Sequence, residues 1–416
     1  MTAFGRLDVL REPSYVRFVT GYGLSYVFYW ITLLSIGWWM WETTGSAAWV
    51  GIAYFCDLFP SVLITPFAAA LADRGDRFRI LKTILWLQVC TGLTLAAVAA
   101  SGMLTPPVLA GFAFVEGTLV GFSQPAFFGL LNRLVTARNL SAAVGVNASV
   151  VQTSYILGPL LAGVLFSFGL GMAPLAFAAN ALGTLGYLWC LGGIALHPQP
   201  AKEAGPAPAL LQEMAAGLTV FWTNPVVFRA TVFMLAVAAL QRPLISLMPA
   251  INDRFALFAP AYFTLLTASF MAGGLLAGLI HARRNSDVGQ EVATGRAMVA
   301  LLLLFAALFP LLAWFPGGTV LAVVGLFLIG LAGSYVMTGN STILQTRTPE
   351  HMRSRVLGNN LMLFRGAGAV SVLCVGLLAD AWGFGIAMTA AVVFAGGVLA
   401  IALRRGGQPD QPRAGS

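Results

Sequence analysis

Four ionisable side chains, Asp57, Glu116, Arg242 and Arg365, stand inside long apolar stretches of this 416-residue chain. A charge in such a stretch costs about 2.5 to 3.5 kcal/mol on membrane-insertion scales. A buried carboxylate near an arginine can exchange protons, because desolvation favours the neutral acid and the arginine favours the carboxylate. We therefore predict that Glu116 or Asp57 takes up a proton when Arg242 or a cationic substrate moves away. A permanent ion pair between helices and direct substrate contact remain alternatives.

The depth of each charge follows from the rise of an α-helix, counted from the cytoplasmic end of its predicted span. Asp57, Glu116 and Arg242 come out at about 24, 22 and 24 Å. Arg365 comes out at about 10 Å, a depth from which its side chain could reach the cytoplasmic surface. The first three charges are therefore predicted to share one level.

Other kinds of chemistry lack the residues that they need. Nucleotide hydrolysis requires a Gly-x-x-x-x-Gly-Lys loop, and neither Lys82 nor Lys202 follows a glycine. His197, His281 and His351 fall in separate breaks, with no Cys/His or acid pair at catalytic spacing. The four cysteines lie in apolar stretches and have no paired spacing. We expect no cofactor, no metal and no enzyme activity, with a membrane enzyme as a remote alternative.

The elements that carry these residues are long apolar runs. Charged residues make up 9% of the chain and hydrophobic residues 58%, whereas a soluble domain has about 25% charged residues. Runs of about 20 apolar residues predict membrane-spanning helices. We predict an all-α membrane protein with twelve spans, near residues 15–41, 48–72, 80–100, 107–131, 146–168, 173–196, 226–250, 259–282, 296–315, 318–342, 358–380 and 384–403.

Basic residues are distributed unevenly along the chain. Of the 23 Lys and Arg residues, twenty fall at the termini or in alternate breaks between spans. The positive-inside rule then places both termini in the cytoplasm. The basic residues form no continuous face, so nucleic acid is not an expected partner despite the net charge of +8. No removable signal peptide is expected.

The chain divides into two halves of similar length. Residues 1–196 and 225–403 are the predicted halves, with a linker at 197–224 and a cytoplasmic tail at 404–416. Part of the linker, residues 210–223, has the pattern of an amphipathic surface helix. A shift of 213 residues lays Gly145 over Gly358 and Gly163 over Gly376. This offset indicates a duplicated half.

The break after the second span carries a motif. Residues 71–79, LADRGDRFR, resemble the signature loop of the major facilitator superfamily, with departures at Ala69, Asp76 and Phe78. An Asp at position 76 is common in the enterobactin-exporter-like branch. Residues 345–355 and the stretch Gly158-Pro159-Leu-Leu-Ala-Gly163 are similar to that branch as well.

The resemblance implies a secondary transporter in the bacterial inner membrane, made of two pseudo-symmetric six-helix halves. It implies alternating access, a monomer, and export of a small siderophore-like or drug-like molecule by proton antiport. An uptake permease or facilitator on the same fold remains the alternative.

In such a transporter the first, fourth, seventh and tenth spans line the cavity, which by resemblance places Glu116 and Arg242 on cavity helices and Asp57 on a gate helix. Tyr22, Tyr26 and Tyr29 share one helical face, which suits an aromatic substrate. Helix packing would also explain any single one of them. The expected cavity residues are Tyr22, Tyr26, Tyr29, Trp30, Gln124, Gln241, Tyr335, Asn340 and Arg365.

The resemblance also implies two structural motifs. Asp73, beside Arg74, is expected to pair with Arg77 or Arg133 and to hold the cytoplasmic side closed, with simple loop anchoring as the alternative. Gly158 and Gly163 are expected to allow close helix approach, and Pro159 to kink the fifth span. Ordinary helix packing would explain these residues equally well.

Overall fold

The computed structural model describes residues 8–136, 139–194, 219–254, 260–283, 288–308, 318–348 and 352–405. Within these ranges twelve helices have 18 residues or more, and each overlaps one of the predicted spans, with ends that differ by up to about eight residues. They are α1 (Pro13–Thr44), α2 (Ala47–Arg74), α3 (Arg77–Ala100), α4 (Pro106–Leu134), α5 (Leu140–Phe166), α6 (Ala173–Cys190), α7 (Pro225–Ser246), α8 (Pro260–Arg283), α9 (Val288–Leu308), α10 (Gly318–Arg347), α11 (Arg353–Trp382) and α12 (Phe384–Arg405).

Most of these helices could cross a membrane by themselves. In the described ranges nine are long and apolar enough, namely α1 to α5, α7, α8, α10 and α11. Helices α9 and α12 have shorter apolar runs, Thr294–Ala306 and Phe384–Ala400, and α6 has 18 residues. A short helix, Met248–Arg254, follows α7. The predicted linker lies outside the described residues up to position 218, and residues 219–223 are helical.

Glycines set the closest helix contacts inside each half. A Cβ atom at Gly117 of α4 would meet the backbone oxygen of Asp57 on α2, and one at Gly330 of α10 would meet the backbone oxygen of Phe270 on α8. Both residues of the second pair lie 213 positions after those of the first. Two helices can approach this closely only where a side chain is missing. The same crossing therefore occurs in both halves at the offset found in the sequence.

The two halves contact each other through a second pair of close approaches. Gly51 of α2 lies against Gly376 of α11, where an added Cβ atom would be 3.5 Å from the Gly376 Cα atom. Gly163 of α5 lies against Thr264 of α8, again displaced by 213 positions. The interface between the halves thus has the same approximate two-fold symmetry as the halves themselves.

The buried apolar residues form one cluster at one end of the bundle and separate clusters at the other. We call the end at which α1 begins and α2 ends the terminal side. On the opposite side a single cluster joins both halves and includes Ile36, Val50 and Val375. On the terminal side Phe18 and Leu130 belong to a cluster of the first half, and Leu344 to one of the second. The halves are therefore packed together on the opposite side and have separate cores on the terminal side.

Candidate functional site

A cavity of about 210 Å³ lies between the halves. All six helices of the first half contribute to its wall, but only α7 and α11 of the second half do. The lining residues are Tyr22, Ser25, Tyr26, Tyr29, Trp30, Leu33, Asp57, Leu58, Ser61, Leu81, Leu85, Gln88, Val120, Ser123, Gln124, Phe127, Phe128, Tyr155, Asn180, Tyr187, Arg242, Leu361, Phe364, Arg365 and Gly368.

Stacked aromatic rings form one side of the cavity. Tyr22 stacks on Tyr26 with ring centroids 5.4 Å apart, and Tyr26 stacks on Tyr29 at 5.8 Å. Phe127 extends the column beyond Tyr22 at 4.2 Å. The three tyrosines predicted to share a face therefore do so, and we call the four rings the aromatic column. Such a surface suits flat apolar groups, because offset stacking of aromatic rings is favourable.

Asp57 is the acidic group of the cavity wall. It is 5% exposed, and its Oδ2 atom accepts a hydrogen bond of 3.0 Å from the Tyr29 hydroxyl. The guanidinium groups of Arg242 and Arg365 attract its carboxylate. The helix on which Asp57 lies, described as a gate helix on the basis of resemblance, thus contributes directly to the cavity.

Arg365 lies deeper than the sequence indicates. Helix α11 begins at Arg353, five residues before the predicted start, so Arg365 is about 18 Å along the helix instead of about 10 Å. Its Nη1 atom donates a 3.2 Å hydrogen bond to the Ser61 hydroxyl, one helical turn from Asp57. The predicted shallow position is therefore wrong, and Arg365 belongs with Asp57 and Arg242.

Glu116 lies behind the cavity wall. Its Oε1 atom accepts hydrogen bonds from Gln88 at 2.8 Å and from Asn180 at 3.0 Å, and both of these amides line the cavity. Its Oε2 atom is buried and has no hydrogen-bond partner among the described residues. The negative charge of Asp57 acts on Glu116. The close crossing at Gly117 accounts for this proximity, since it brings α4 against α2 at Asp57.

Three of the expected cavity residues lie inside the second half instead. The Gln241 side chain packs against Gly333 of α10, and Asn340 donates a 3.1 Å hydrogen bond to Asn360. Tyr335 is buried, with its ring 4.2 Å from that of His281. Gln124 does line the cavity, as do Tyr22, Tyr26, Tyr29 and Trp30. The difference arises because Gln241 of α7, and Tyr335 and Asn340 of α10, face neighbouring helices of their own half.

Several wall residues were not singled out in the sequence. The sequence could have indicated Gln88 and Asn180, because a polar amide inside an apolar run needs a buried hydrogen-bond partner. Tyr155 lies with its ring 5.1 Å from that of Trp30 and 6.0 Å from that of Tyr26. Ser61 is fully compatible with ordinary helix packing and has no signal in the sequence.

The loop motif between α2 and α3 is described only in part, because the side chains of Asp73 and Arg74 lie outside the described part. Arg77 donates hydrogen bonds to the backbone oxygens of Ala72 at 3.0 Å and Gly129 at 3.4 Å, which ties the end of α2 to α4. Asp76 accepts hydrogen bonds from the backbone amides of Phe78 and Arg79 and so caps α3. This cap gives a physical reason for the departure from the family pattern at position 76. Arg133 is half-buried, and its Nε atom has no hydrogen-bond partner among the described residues.

The motif on α5 makes two different helix contacts. Gly158 lies against Trp30 and the backbone oxygen of Val27 on α1, the latter 3.2 Å from an added Cβ atom. Gly163 lies against Thr264 of the other half, and Pro159 is inside the helix. The motif therefore positions Trp30 in the cavity wall and forms part of the interface between the halves.

A carboxylate of the second half caps a helix of the first half on the opposite side. The Asp380 side chain, near the end of α11, accepts hydrogen bonds from the backbone amides of Ala47 at 2.7 Å and Ala48 at 3.2 Å and from the Ser46 hydroxyl. A negative charge at a helix N-terminus is stabilising. This contact adds to the glycine packing that closes the opposite side.

Proteins of known function with similar sequences are transporters. The staphyloferrin A transporter of Staphylococcus aureus is 24% identical over 367 residues, which cover 85% of this chain and 86% of that protein. The multidrug efflux pump Tap of Mycobacterium tuberculosis is 25% identical over 376 residues, 85% of this chain and 84% of the pump. Macrolide efflux protein A of Streptococcus pyogenes is 24% identical over 250 residues, 60% of this chain and 61% of its own length.

Solved structures share the fold. A bacterial homologue of the lysosomal transporter Spinster, in an inward-facing and occupied conformation, has a TM-score of 0.73 and 15% identity over 96% of this chain and 99% of that chain. A bacterial homologue of ferroportin in an inward-facing state has a TM-score of 0.71 and 14% identity over 95% of this chain and 99% of that chain. Both are transporters with the major facilitator architecture expected from the sequence.

The family assignment follows from a match along nearly the whole chain. The profile of the family described as transmembrane secretion effector matches residues 11–409. The solved structures agree with it in fold, and the sequence relatives agree with it in kind of activity. The chain therefore belongs to the transmembrane secretion effector family, an exporter branch of the major facilitator superfamily.

Proposed function

We propose that this protein exports a small organic molecule in exchange for protons, with Asp57 as the carboxylate that carries the proton. The supporting observation is the position of Asp57, which is the only acidic side chain of the described residues in the cavity wall. It is nearly buried, accepts a hydrogen bond from a tyrosine hydroxyl, and is under the electrostatic influence of two guanidinium groups. A carboxylate that meets both the substrate and the proton can couple their movements.

The sign of the coupling follows from the charge of Asp57. In its ionised form Asp57 accepts hydrogen bonds and attracts positive charge, so it holds a donor group of the substrate. Protonation removes the negative charge and most of the acceptor capacity, so the substrate is released. A proton that enters from outside thus takes the place of the substrate, which gives antiport.

Glu116 has a different role in this proposal. Because Gln88 and Asn180 hold its Oε1 atom behind the wall, we assign it to stabilising the contact of α4 with α3 and α6. Protonation of Glu116 remains the alternative route for coupling. The two carboxylates can be separated by variants, as described below.

Alternating access would use the two sides of the interface between the halves. The single apolar cluster, the glycine contacts and the Asp380 cap hold the opposite side together, whereas the cores are separate on the terminal side. This arrangement fits a state in which the cavity faces the terminal side. We further propose that Asp73 with Arg74, Arg77 and Arg133 holds the terminal side closed in the other state.

The membrane arrangement completes the proposal. We place the protein in the bacterial inner membrane as a monomer, with both termini in the cytoplasm and without nucleic-acid partners, on the basis of the basic residues at the termini and in alternate breaks. The terminal side then faces the cytoplasm. Reporter fusions at both ends that are active only in the cytoplasm check this orientation, and an inactive fusion at either end would contradict it.

The relatives suggest substrates for a first test. Their names include a siderophore, macrolides and multiple drugs, so a siderophore and a macrolide are the first candidates. Cells that express the protein should contain less of the substrate than cells that do not. Accumulation instead of depletion would favour uptake, the alternative on the same fold.

The test of coupling uses purified protein in liposomes with an imposed pH gradient. We expect Asp57→Asn to abolish uphill transport while exchange of saturating substrate without a gradient continues, because the neutral side chain cannot bind and release a proton. Glu116→Gln should keep uphill transport, because this amide retains an oxygen that Gln88 and Asn180 can donate to. If the Asp57→Asn variant still transports uphill and the Glu116→Gln variant does not, the proton is carried by Glu116.

A further inference from the structure

We infer that the substrate is amphoteric, with an acidic group for Arg242 and Arg365, a basic group for Asp57 and an aromatic ring for the aromatic column. This inference rests on the proposed antiport, because it uses Asp57 as a group for which substrate and proton compete. It adds the chemical class of the substrate, which neither the fold nor the family specifies.

The acidic group is indicated by two guanidinium groups on the same part of the wall. Arg242 lines the cavity and makes no hydrogen bond with another described residue. Its stem packs against Gly368 of α11, 3.2 Å from an added Cβ atom, and Gly368 is three residues after Arg365. Arg365 uses one of its nitrogen atoms to bind Ser61. Since a guanidinium carries several donors in a planar fork that matches a carboxylate, the two side chains have donors left for an acidic group.

The basic group is indicated by Asp57. Only one of its two oxygen atoms is engaged by Tyr29, so the carboxylate can still accept hydrogen bonds. An anion that bound to the two arginines would draw them away from Asp57 and would favour its protonation. Proton and anion would then move together, which is the wrong sign for antiport. A basic group on the same molecule restores the competition with the proton.

The ring and the size follow from the remaining wall. The aromatic column lies beside Asp57, since Tyr29 both ends the stack and donates to the carboxylate. The cavity of about 210 Å³ is smaller than the pockets of drug-sized ligands, which are ~300–1,000 Å³. A compact molecule with one ring fits this space in the present state.

The charges of the wall come from both halves. Asp57 is on α2 of the first half, whereas Arg242 and Arg365 are on α7 and α11 of the second. Among the described lining residues, α1, α3, α4, α5 and α6 contribute no charge, and Glu116 on α4 is set behind the wall. An amphoteric molecule would therefore bridge the halves, with its basic end on one and its acidic end on the other.

Three small molecules with the same ring separate the contributions of the acidic and the basic group to binding. They are tyrosine, tyramine, which lacks the carboxylate, and desaminotyrosine, which lacks the amine. Equilibrium binding to the purified protein in lipid nanodiscs at neutral pH requires no gradient. We expect tyrosine to bind at least about tenfold more tightly than either of the others. Binding of tyramine or of desaminotyrosine that is as tight as that of tyrosine or tighter would overturn the inference. Binding of none of the three would overturn it as well.

Charge variants make the test specific to each end of the molecule. Asp57→Asn should weaken binding of tyrosine and tyramine by about tenfold but not that of desaminotyrosine. Arg242→Gln should weaken binding of tyrosine and desaminotyrosine but not that of tyramine. Ser123→Ala, an uncharged change in the same wall, should affect all three molecules alike. A variant that weakens all three equally at position 57 or 242 would indicate a structural role and would contradict the inference.

Failure of the substrate class and failure of the proposed antiport give different results. If the three molecules do not bind but Asp57→Asn abolishes uphill transport of a siderophore or macrolide, the substrate class is wrong and the antiport proposal stands. If tyrosine binds with the expected pattern but Asp57→Asn keeps uphill transport, the class stands as a binding preference and the coupling site is wrong.

Discussion

The first and second halves of this transporter have the same packing frame but different chemistry in it. Gly117 crosses α2 at Asp57, and Gly330 crosses α8 at Phe270, with the same backbone contact in both halves. The residue before the glycine is Glu116 in one crossing and Ile329 in the other, and both are buried.

A further pair shows how the charges are divided. Tyr29 and Arg242 are also 213 positions apart, and both lie in the cavity wall beside Asp57. The first half supplies the acid and a neutral donor for it, and the second half supplies the cations. The shared frame is what a duplicated half predicts, whereas side chains that differ between the halves give the cavity opposite charges on its two sides.

The largest expected effect concerns the shared frame. We expect Gly117→Ala and Gly330→Ala each to destabilise the protein by about 1 to 3 kcal/mol, because the added methyl group would meet a backbone oxygen that cannot turn aside. Only Gly117→Ala should also impair uphill transport, since it displaces Asp57. Thermal unfolding of the purified variants measures the first effect and liposome transport the second.

The matched controls for this pair are Gly111→Ala on α4 and Gly278→Ala on α8. An added Cβ atom has nothing within 4 Å at either position. Both variants should have an unfolding temperature equal to or above that of the parent protein, because alanine is a better helix former than glycine. Equal loss of transport in Gly117→Ala and Gly330→Ala would contradict the division of chemistry between the halves.

An intermediate effect is expected where the first half has a buried acid and the second has none. Asn180→Leu removes one of the two donors to Glu116 and should cost about 1 to 2 kcal/mol of unfolding free energy, because Gln88 still donates to the same oxygen. Adding Glu116→Ile, the residue found at the second crossing, should recover part of this loss, because the unsatisfied acid is then removed. Thermal unfolding of the single and double variants measures the loss and its recovery. A double variant less stable than Asn180→Leu would argue against the stabilising role of Glu116.

The smallest effect concerns the contact that closes the opposite side. Asp380→Ala removes the cap on α2, and a lost cap typically costs about 1 kcal/mol. We expect the population open on the opposite side to rise roughly fivefold. Pulsed electron paramagnetic resonance measures this change as the distance between spin labels at the start of α2 and the end of α11.

The control for the cap comes from the other half. Ser167, the residue after α5, precedes Asp380 by 213 positions, and its hydroxyl donates to the backbone oxygen of Val164 in α5. Ser167→Ala should leave the distance distribution unchanged. An unchanged distribution in Asp380→Ala as well would mean that the apolar and glycine contacts alone hold this side together.

The sequence alone determined the features that depend on local pattern. The twelve helices, the 213-residue offset and the shared face of Tyr22, Tyr26 and Tyr29 all follow from spacing along one chain. The structure has all three, although several helices begin at other residues than predicted. The common level of Asp57, Glu116 and Arg242 stays a prediction made from helix geometry alone. These features can be predicted from spacing, because the periodicity of a helix decides which residues share a face.

Only the tertiary structure decided which polar side chains meet in the cavity. The rotation of each helix about its axis depends on close contacts such as that of Gly333 with Gln241, which turns this amide into the second half. A start of α11 five residues earlier than predicted brought Arg365 level with Ser61. Gln88 and Asn180 met Glu116 through the packing of three helices. These positions are set by contacts between distant segments, which no local pattern specifies.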